Sequence, residues 1–508
     1  MQRIGIRPCP AGCRNGSRRT PPAPGHPRSE EGLAPPPRFG LPSGGSVAGR
    51  DPGAGEERAM NERERRRGVW GWMLYDWASQ PFHTVLITFV FAAYFADRVV
   101  GDPVEGQAMW GFMMGAAGLA IALMAPVLGA IADASGPRKP WIAAFSVLYV
   151  AGSATLWFAV PGMEAPWIIL VAFAIGLVGA EFTAIFTNAM LPDLGPREEV
   201  GRISGSGWAM GYLGGLVSLV VILLLMVGDV ETGKTLIGLT PILGLDPSMG
   251  EGERATGIYT AIWFVIFVIP LFIWTPDVKR KPAEGAVRRG MSQLRASVAE
   301  LPRRPSFATY LVSSMFYRDA LNGLYAFGGI YAVGVLDWSI IQLGVFGILA
   351  NITGALGAWL GGYADKALGP KPVITFSIWT LTIVCLIIVT TEPGMVLLMP
   401  IAAESGLPTI VFYICGAVIG AAGGSIQAAS RTLLVHQAPQ AEIAQSFGLY
   451  ALTGKATAWL APTLIGWMTL ATDSQRLGVT PLIVLFLIGL VTLVFVRKEG
   501  DVPHVSPA

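Results

Sequence analysis

The feature that most constrains this chain is a series of long apolar runs that repeats from residue 70 almost to the C-terminus. About 20 residues of α-helix, each rising about 1.5 Å, are enough to cross the roughly 30 Å hydrocarbon core of a bilayer. Hydrophobic residues make up 52% of the chain and charged residues only 14%, a balance typical of proteins that cross a membrane many times. The sequence therefore predicts an all-α membrane protein with twelve transmembrane helices. The twelve runs lie near residues 70–96, 108–132, 141–160, 166–191, 205–227, 257–275, 308–335, 340–364, 372–391, 407–434, 447–470 and 479–496.

Lysine and arginine are concentrated in alternate loops between these runs. The basic loops lie at 63–67, 138–139, 197–202, 279–304, 366–371 and 497–498, whereas the opposite loops hold only isolated basic residues. Because basic loops stay in the cytoplasm, both termini are predicted to be cytoplasmic, in the inner membrane if the protein is bacterial. The predicted organisation is an N-terminal six-helix bundle at 60–274, a cytoplasmic middle loop at 275–307, a C-terminal six-helix bundle at 308–497 and a short tail at 498–508.

The segment before the first run is rich in proline, glycine, arginine and serine and has no apolar periodicity. Such a composition buries too little apolar surface to fold, so residues 1–59 are predicted to be disordered. The segment also lacks the apolar core of a signal peptide. Met60 directly precedes a basic stretch and the first run, which raises the hypothesis that translation begins there.

The two halves of the chain repeat each other. Gly129-x-x-x-Asp133 recurs as Gly361-x-x-x-Asp365, which is 232 residues further on. A second block, PREEVGRISG, recurs as PQAEIAQSFG after 243 residues, and the same offset carries Asp76 onto Asp319. Parallel repeats of six spans predict a pseudo-twofold axis along the membrane normal, with the substrate site at the interface between the halves.

These residues resemble the major facilitator superfamily of transporters. The resemblance rests on the twelve spans, the basic middle loop and the motif Gly-x-x-x-Asp-x-x-Gly-x-Arg-Lys at residues 129–139. Within the first span, Tyr75, Asp76, Trp77, Ala78 and Phe82 resemble the autophagy-related vacuolar amino-acid effluxer branch and its bacterial relatives. The resemblance implies the two-bundle transporter fold and a small polar solute, an amino acid or similar metabolite, as substrate.

The repeated loop motif is a candidate cytoplasmic gate. Glycine permits close approach of helices, and an aspartate at a helix end can accept hydrogen bonds from a neighbouring helix or a basic side chain. The alternative is a plain loop that is basic only because it stays in the cytoplasm. The candidate gate residues are Gly129, Asp133, Gly136, Arg138, Lys139, Gly361, Asp365 and Lys371.

Polar residues inside the apolar runs are the candidates for the substrate or proton pathway. A charged side chain at membrane depth is costly, so it is expected to face the protein interior or a water-filled cavity. Asp76, Gln80 and His83 share one helical face, as do Arg318, Asn322 and Tyr325. The full set is Asp76, Gln80, His83, Glu181, Asn188, Arg318, Asp319, Asn322, Tyr325, Gln427, Arg431 and Lys455.

Different roles are expected within this set. Glu181 is the candidate proton carrier because burial favours the neutral form of a carboxyl group, and Lys455 is the candidate anchor for a substrate carboxylate. Asp76 and Asp319 lie nearer the cytoplasmic ends of their runs and are candidate gate partners. A structural ion pair is the alternative role, and we expect it between Arg318 or Arg431 and one of the acids.

The sequence thus predicts a secondary active transporter that works by alternating access, with the proton as coupling ion and efflux as one direction. No ATP-binding motif, metal cluster or catalytic pair is present in the sequence, so no cofactor and no enzyme activity are expected. The net charge of +2 gives no reason to expect nucleic acid as a partner. The alternatives are an uncoupled facilitator, a drug exporter, or a receptor or scaffold that does not transport.

Overall fold

Helices make up nearly all of the described chain, because lipid offers backbone amides and carbonyls no hydrogen-bond partners except one another. The computed structural model describes residues 52–135, 137–195, 197–277, 292, 295, 298–402, 404–438, 443–498 and 500–501. The chain divides into two units, Met1–Glu57 and Arg58–Ala508, and all side-chain contacts below belong to the second. Residues 1–51 of the predicted disordered segment and most of the predicted middle loop lie outside the described residues. The part of that segment from Pro52 onward is helical, because its Ala, Glu and Arg residues extend the first helix.

The first half supplies six spans. Its first span is continuous from α1 through two π-helical stretches and the short α2. The elements are α1 (Pro52–Pro81), π-helical Phe82–Phe89, α2 (Phe91–Tyr94), π-helical Phe95–Val99, α3 (Pro103–Ser135), α4 (Lys139–Thr155), α5 (Trp167–Met190), α6 (Arg197–Leu225) and α7 (Glu251–Trp274).

The second half repeats this pattern, and a small hairpin follows its third span. The elements are α8 (Pro305–Leu336), α9 (Ile340–Leu368), α10 (Pro370–Val389), β1 (Met395–Val396), β2 (Met399–Pro400), α11 (Leu407–Gln437), α12 (Ile443–Ala456), α13 (Leu460–Thr472), α14 (Gln475–Gly478) and α15 (Pro481–Val494).

Ten of the described helices are long and apolar enough to cross a membrane. The two remaining predicted spans are those with basic residues near their middle. Helix α8 carries Arg318 and Asp319, and the eleventh span carries Lys455 and is interrupted at residues 457–459 between α12 and α13. The fold is the predicted one, a multi-pass bundle of two six-helix halves, and the observed helices are consistent with twelve spans.

The first span changes its geometry at Pro81. The sequence predicts a kink there, and the structure has a π-helix from Phe82 that ends at Val90, whose φ of −124° and ψ of −68° are not helical. Proline has no amide hydrogen and crowds the preceding turn, which favours such a widened segment. The hydroxyl of Thr88 donates to the carbonyl of His83 at 2.9 Å, within the widened stretch.

Small residues let the helices approach closely. A Cβ on Gly357 of α9 would lie 2.2 Å from the carbonyl oxygen of Ala421 on α11, inside the second half. Between the halves, a Cβ on Gly111 of α3 would lie 2.7 Å from the carbonyl oxygen of Pro462 on α13. The backbones therefore touch at these points, as small residues allow in membrane bundles.

Candidate transport site between the two halves

An ion pair joins the halves inside the membrane-spanning bundle. Glu181 lies on α5 of the first half and Lys455 on α12 of the second, and the ammonium donates directly to the carboxylate. The side chain of Glu181 is 16% exposed and that of Lys455 is 41% exposed. The ion pairs Arg138–Asp193 and Arg476–Glu392, in contrast, each lie within one half.

The imidazole of His83 lies within electrostatic reach of both partners of this pair. It is half-buried on the π-helical part of the first span, so the widened helix brings a titratable group to the ion pair. Gln80, one turn earlier, donates to the hydroxyl of Thr84 at 3.4 Å. The structure thus brings Glu181 and Lys455 into contact, and His83 of a third span lies within electrostatic reach of them.

Asp76 packs within the first half. A Cβ on Gly207 of α6 would lie 2.5 Å from a carboxylate oxygen of Asp76, and one on Gly211 would lie 3.5 Å from its Cβ. These glycines therefore make the room that the aspartate occupies. Tyr75, its neighbour, is buried and donates to the hydroxyl of Thr183 on α5 at 2.8 Å.

Two arginines of the second half stack on aromatic rings. The guanidinium of Arg318 lies 4.1 Å from the ring centroid of Tyr450 and donates to its carbonyl oxygen at 3.0 Å. Arg431 lies 5.5 Å from the ring centroid of Trp208 on α6 and so reaches across to the first half. In the described residues neither Arg318 nor Arg431 pairs with an acid, contrary to expectation. Lys455 forms the ion pair, and both guanidinium groups lie over aromatic rings instead.

Asp319 caps a helix of its own half. One carboxylate oxygen accepts from the backbone amide of Ala461 at 2.9 Å, at the start of α13, where free amides favour an acid. The residue is only 2% exposed, and its other carboxylate oxygen has no partner in the described structure. In the described residues neither Asp319 nor Asp76 makes a hydrogen bond or ion pair to the opposite half, so a gate formed by the two remains a prediction.

The remaining pathway candidates lie on α5, α8 and α11. Asn188 and Asn322 are exposed on α5 and α8. Tyr325 is half-buried. A Cβ on Gly423 of α11, one turn before Gln427, would lie 1.9 Å from the hydroxyl oxygen of Tyr325. Polar groups from α8 and α11 therefore meet inside the second half.

The described gate candidates of the first half are held by their own bundle. The backbone amides of Arg138 and Lys139 each donate to Asp277 at 3.0 Å, just beyond α7. The side chain of Arg138 donates to the carbonyl of Ala189 and lies 3.3 Å from Asp193. Gly129 and Asp133 lie on the backbone of α3, and Gly136 lies outside the described residues.

The equivalent lysines of the two halves make equivalent contacts. Lys139 donates to the carbonyl of Phe272 near the end of α7 at 2.8 Å. Lys371, which follows it by 232 residues, donates to the carbonyls of Val494 and Val496 at the end of α15 at 3.0 and 2.6 Å. Each lysine caps the last span of its own half, where a cation is favourable. Gly361 packs on α11, where a Cβ would lie 2.8 Å from the hydroxyl of Ser425, and Asp365 near the end of α9 is half-buried.

We call the end of the bundle with Lys139 and Lys371 the basic end and the opposite end the distal end. At the distal end a buried amide network joins the halves. Gln107 of α3 donates to the hydroxyl of Thr469 at 2.8 Å and to the carbonyl of Gln475 at 3.1 Å. Gln475 donates in turn to the carbonyl of Pro103 at 2.5 Å. Sequence reasoning missed these glutamines because they stand near span ends, where a polar residue is expected anyway.

Sequence comparison finds membrane transporters. An uncharacterised MFS-type transporter of Bacillus subtilis (strain 168), YxiO, is 25% identical over 439 residues, which cover 84% of this chain and 94% of that protein. Autophagy-related protein 22 of Yarrowia lipolytica is 24% identical over 332 residues, 59% of this chain. The latter match spans about half (52%) of the fungal protein.

Solved structures of similar fold are transporters as well. A bacterial homologue of the human lysosomal transporter Spinster, inward-facing and unoccupied, matches with a TM-score of 0.60 at 14% identity, covering 87% of this chain and 98% of that one. A D-xylose–proton symporter matches with a TM-score of 0.61 at 13% identity, covering 86% and 97%. At this level of identity the likeness concerns the fold.

The family model described as "Vacuole effluxer Atg22 like" matches residues 98–501, which is most of the chain. The multi-pass fold, the MFS-type relatives and this match agree. The chain therefore belongs to the Atg22-like family of membrane transporters and is not an enzyme.

Proposed function

We propose that this transporter moves a small polar solute, an amino acid or similar metabolite, by alternating access coupled to protons. The observation that carries the proposal is the ion pair between Glu181 and Lys455, which joins the two halves within the bundle. A pair that spans the moving interface is able to link the charge state of the site to the position of the halves.

In this mechanism proton and substrate act on the same pair. A proton on Glu181 cancels its charge and frees Lys455, so the electrostatic link between the halves is lost. The ammonium of Lys455 then binds the carboxylate of the solute, and His83, within electrostatic reach of the pair, is the candidate relay for the proton. Loss of the proton restores the ion pair and releases the solute.

The orientation and direction are also part of the proposal. The basic end faces the cytoplasm, as expected from the distribution of lysine and arginine. In a bacterium this places the protein in the inner membrane. Proton and solute move in the same direction in the mechanism above, so efflux, which the family description names for a vacuole, requires a proton gradient that points out of the same compartment.

Transport by purified protein in proteoliposomes tests the coupling. With radiolabelled amino acids as the first panel, we expect an imposed pH gradient to drive accumulation of a solute that otherwise only equilibrates. Glu181→Gln should retain exchange down a gradient but lose the accumulation, because an amide carries no exchangeable charge. Equal transport by the wild type with and without the gradient would show that the carrier is uncoupled.

Glu392→Gln is the matched control. Glu392 also pairs with a basic side chain, Arg476 at 2.7 Å, but both lie at the distal end of the second half. We expect this variant to accumulate solute as the wild type does. A loss of accumulation as large as that of Glu181→Gln would show that any broken ion pair has the effect, and would count against a proton role for Glu181.

A further inference from the structure

Leucines in left-handed backbone conformation mark two loops. Among the described residues other than glycine, five have positive φ, and three of them are leucines. Leu243 has φ of 60°, Leu397 of 51° and Leu398 of 64°. The other two, Asp337 and Asp473, end helices, where a left-handed aspartate is common. A leucine in this region is disfavoured because its Cβ crowds the following carbonyl oxygen, so three leucines with this backbone raise the hypothesis of a function.

The first of these loops joins α6 to α7. Leu243 lies in a short 3-10 turn, Ile242–Gly244, and is 90% exposed, while Ile237 is 55% exposed. The loop is ordered by backbone hydrogen bonds, from the amide of Leu236 to Leu223 on α6 and from that of Thr235 to Leu239. No charged residue occurs from 235 to 245. The turn thus holds apolar side chains away from the protein.

The second loop is a hairpin between α10 and α11. Strands β1 and β2 pair antiparallel with Val396 opposite Met399, so Leu397 and Leu398 form a two-residue turn with positive φ at both positions. Such turns normally carry Asn-Gly because few other residues tolerate both angles. Leu398 is 67% exposed and Met399 is 60% exposed, and no charged residue occurs from 393 to 402.

Both turns lie at the distal end and beside a lipid-facing helix. They follow the fifth and ninth spans, so the alternation of spans puts them on the same side of the membrane. Helix α7, which begins after the first loop, has Ile262 and Val265 exposed, and α10 has Ile383 and Leu386 exposed near its end at the hairpin. We expect such exposed apolar faces to contact lipid, so each loop begins or ends at the rim of the bundle, next to the headgroups.

We propose that these two turns, the 235–245 turn and the 395–400 hairpin, are interfacial anchors that insert their apolar tips into the distal leaflet of the bilayer. Aliphatic side chains without neighbouring charges partition into the boundary between headgroups and acyl chains. One anchor belongs to each half, so each half is fixed to the leaflet separately while the halves rock against each other.

Nitroxide accessibility in proteoliposomes tests the anchors. Single cysteines replace Leu243 or Leu398 in a chain with Cys9→Ser and Cys13→Ser, since the remaining Cys385 and Cys415 are buried. Lys234→Cys and Glu404→Cys are matched controls, because both positions are exposed in the same loops next to the uncharged segments. Power saturation compares collisions with oxygen, which concentrates in lipid, and with a water-soluble nickel chelate.

We expect the oxygen-to-nickel collision ratio at Leu243 and Leu398 to exceed that at the control positions severalfold. Ratios equal to the controls would place the tips in water and overturn the proposal. Protection from both reagents would show that the tips are covered by protein, such as a second copy of the chain, and would equally overturn it.

Discussion

At the level of single residues, the two halves use the same positions differently. Asp76 and Asp319 are equivalent in the repeat, yet Asp76 fits against Gly207 while Asp319 caps α13 through Ala461. By the same offset of 243 residues, the position equivalent to Gly207 is Tyr450, and the guanidinium of Arg318 lies over its ring. The second half thus has a ring that contacts Arg318 at the position where the first half has a glycine that contacts Asp76.

Lys455→Met should lower the stability of the protein. It leaves Glu181 without its partner, and since the lysine is 41% exposed, we expect a loss of about 1–3 kcal/mol, less than the roughly 3–5 kcal/mol of fully buried pairs. The double variant Glu181→Gln/Lys455→Met should recover part of this loss, because no unpaired charge remains. Thermal unfolding in detergent measures both, and a double variant no more stable than the single one would contradict the argument.

Asp319→Ala should destabilise α13. The amide of Ala461 loses its charged acceptor at a buried position, which costs about 1.5–3 kcal/mol. Asp319→Asn keeps an acceptor oxygen and should lose markedly less. Asp365→Asn serves as control, because Asp365 is only half-buried on α9. The midpoints of thermal unfolding distinguish the three variants.

At the level of helices, glycines set the distance between neighbours. Helices α9 and α11 meet with their backbones in contact at Gly357, whereas the nearby Gly362 of α9 has nothing within 4 Å of an added Cβ. A stripe of glycines is visible in the sequence, but which member faces a neighbour depends on how each helix is rotated.

Gly357→Ala should therefore separate α9 from α11. The added methyl meets the carbonyl of Ala421, and such overpacking costs about 1–3 kcal/mol. Gly362→Ala should be neutral or slightly stabilising, since alanine favours helix. If both variants unfold at the same temperature, the backbone contact between the helices is not important for stability.

At the level of the whole molecule, the halves are joined at the distal end and in the middle. The amide network of Gln107, Thr469 and Gln475 is buried, and Glu181 with Lys455 provides a charged link. At the basic end the described hydrogen bonds of Lys139 and Lys371 stay within their own halves, while Arg431 contacts Trp208 of the other half. Among the described residues, the hydrogen bonds and ion pairs between the halves thus lie at the distal end and in the middle, as expected of a carrier whose basic end opens.

Gln107→Ala should shift the population toward a conformation open at the distal end, because it removes hydrogen bonds that only the closed distal end makes. Spin labels at Glu105 and Ala471, exposed on the two sides of this contact, should report a larger share of long distances in double electron–electron resonance. Gln342→Ala is the control, since Gln342 caps its own helix α9. An unchanged distance distribution in Gln107→Ala would mean that the network does not hold the distal end closed.

The sequence by itself determined the class of fold, the repeat and which polar residues stand within the predicted spans, because span length, hydropathy and motif spacing are local or periodic properties of the chain. It named Glu181 and Lys455 as separate candidates and expected arginine to take the ion pair. Only the tertiary structure decided that lysine takes it and that Arg318 and Arg431 stack on aromatic rings. The reason is geometric. Pairing between residues 274 positions apart depends on the rotation and depth of two helices in different halves. A single difference between equivalent positions, such as Gly207 in the first half and Tyr450 in the second, redirects a side chain without changing the periodicity of the sequence.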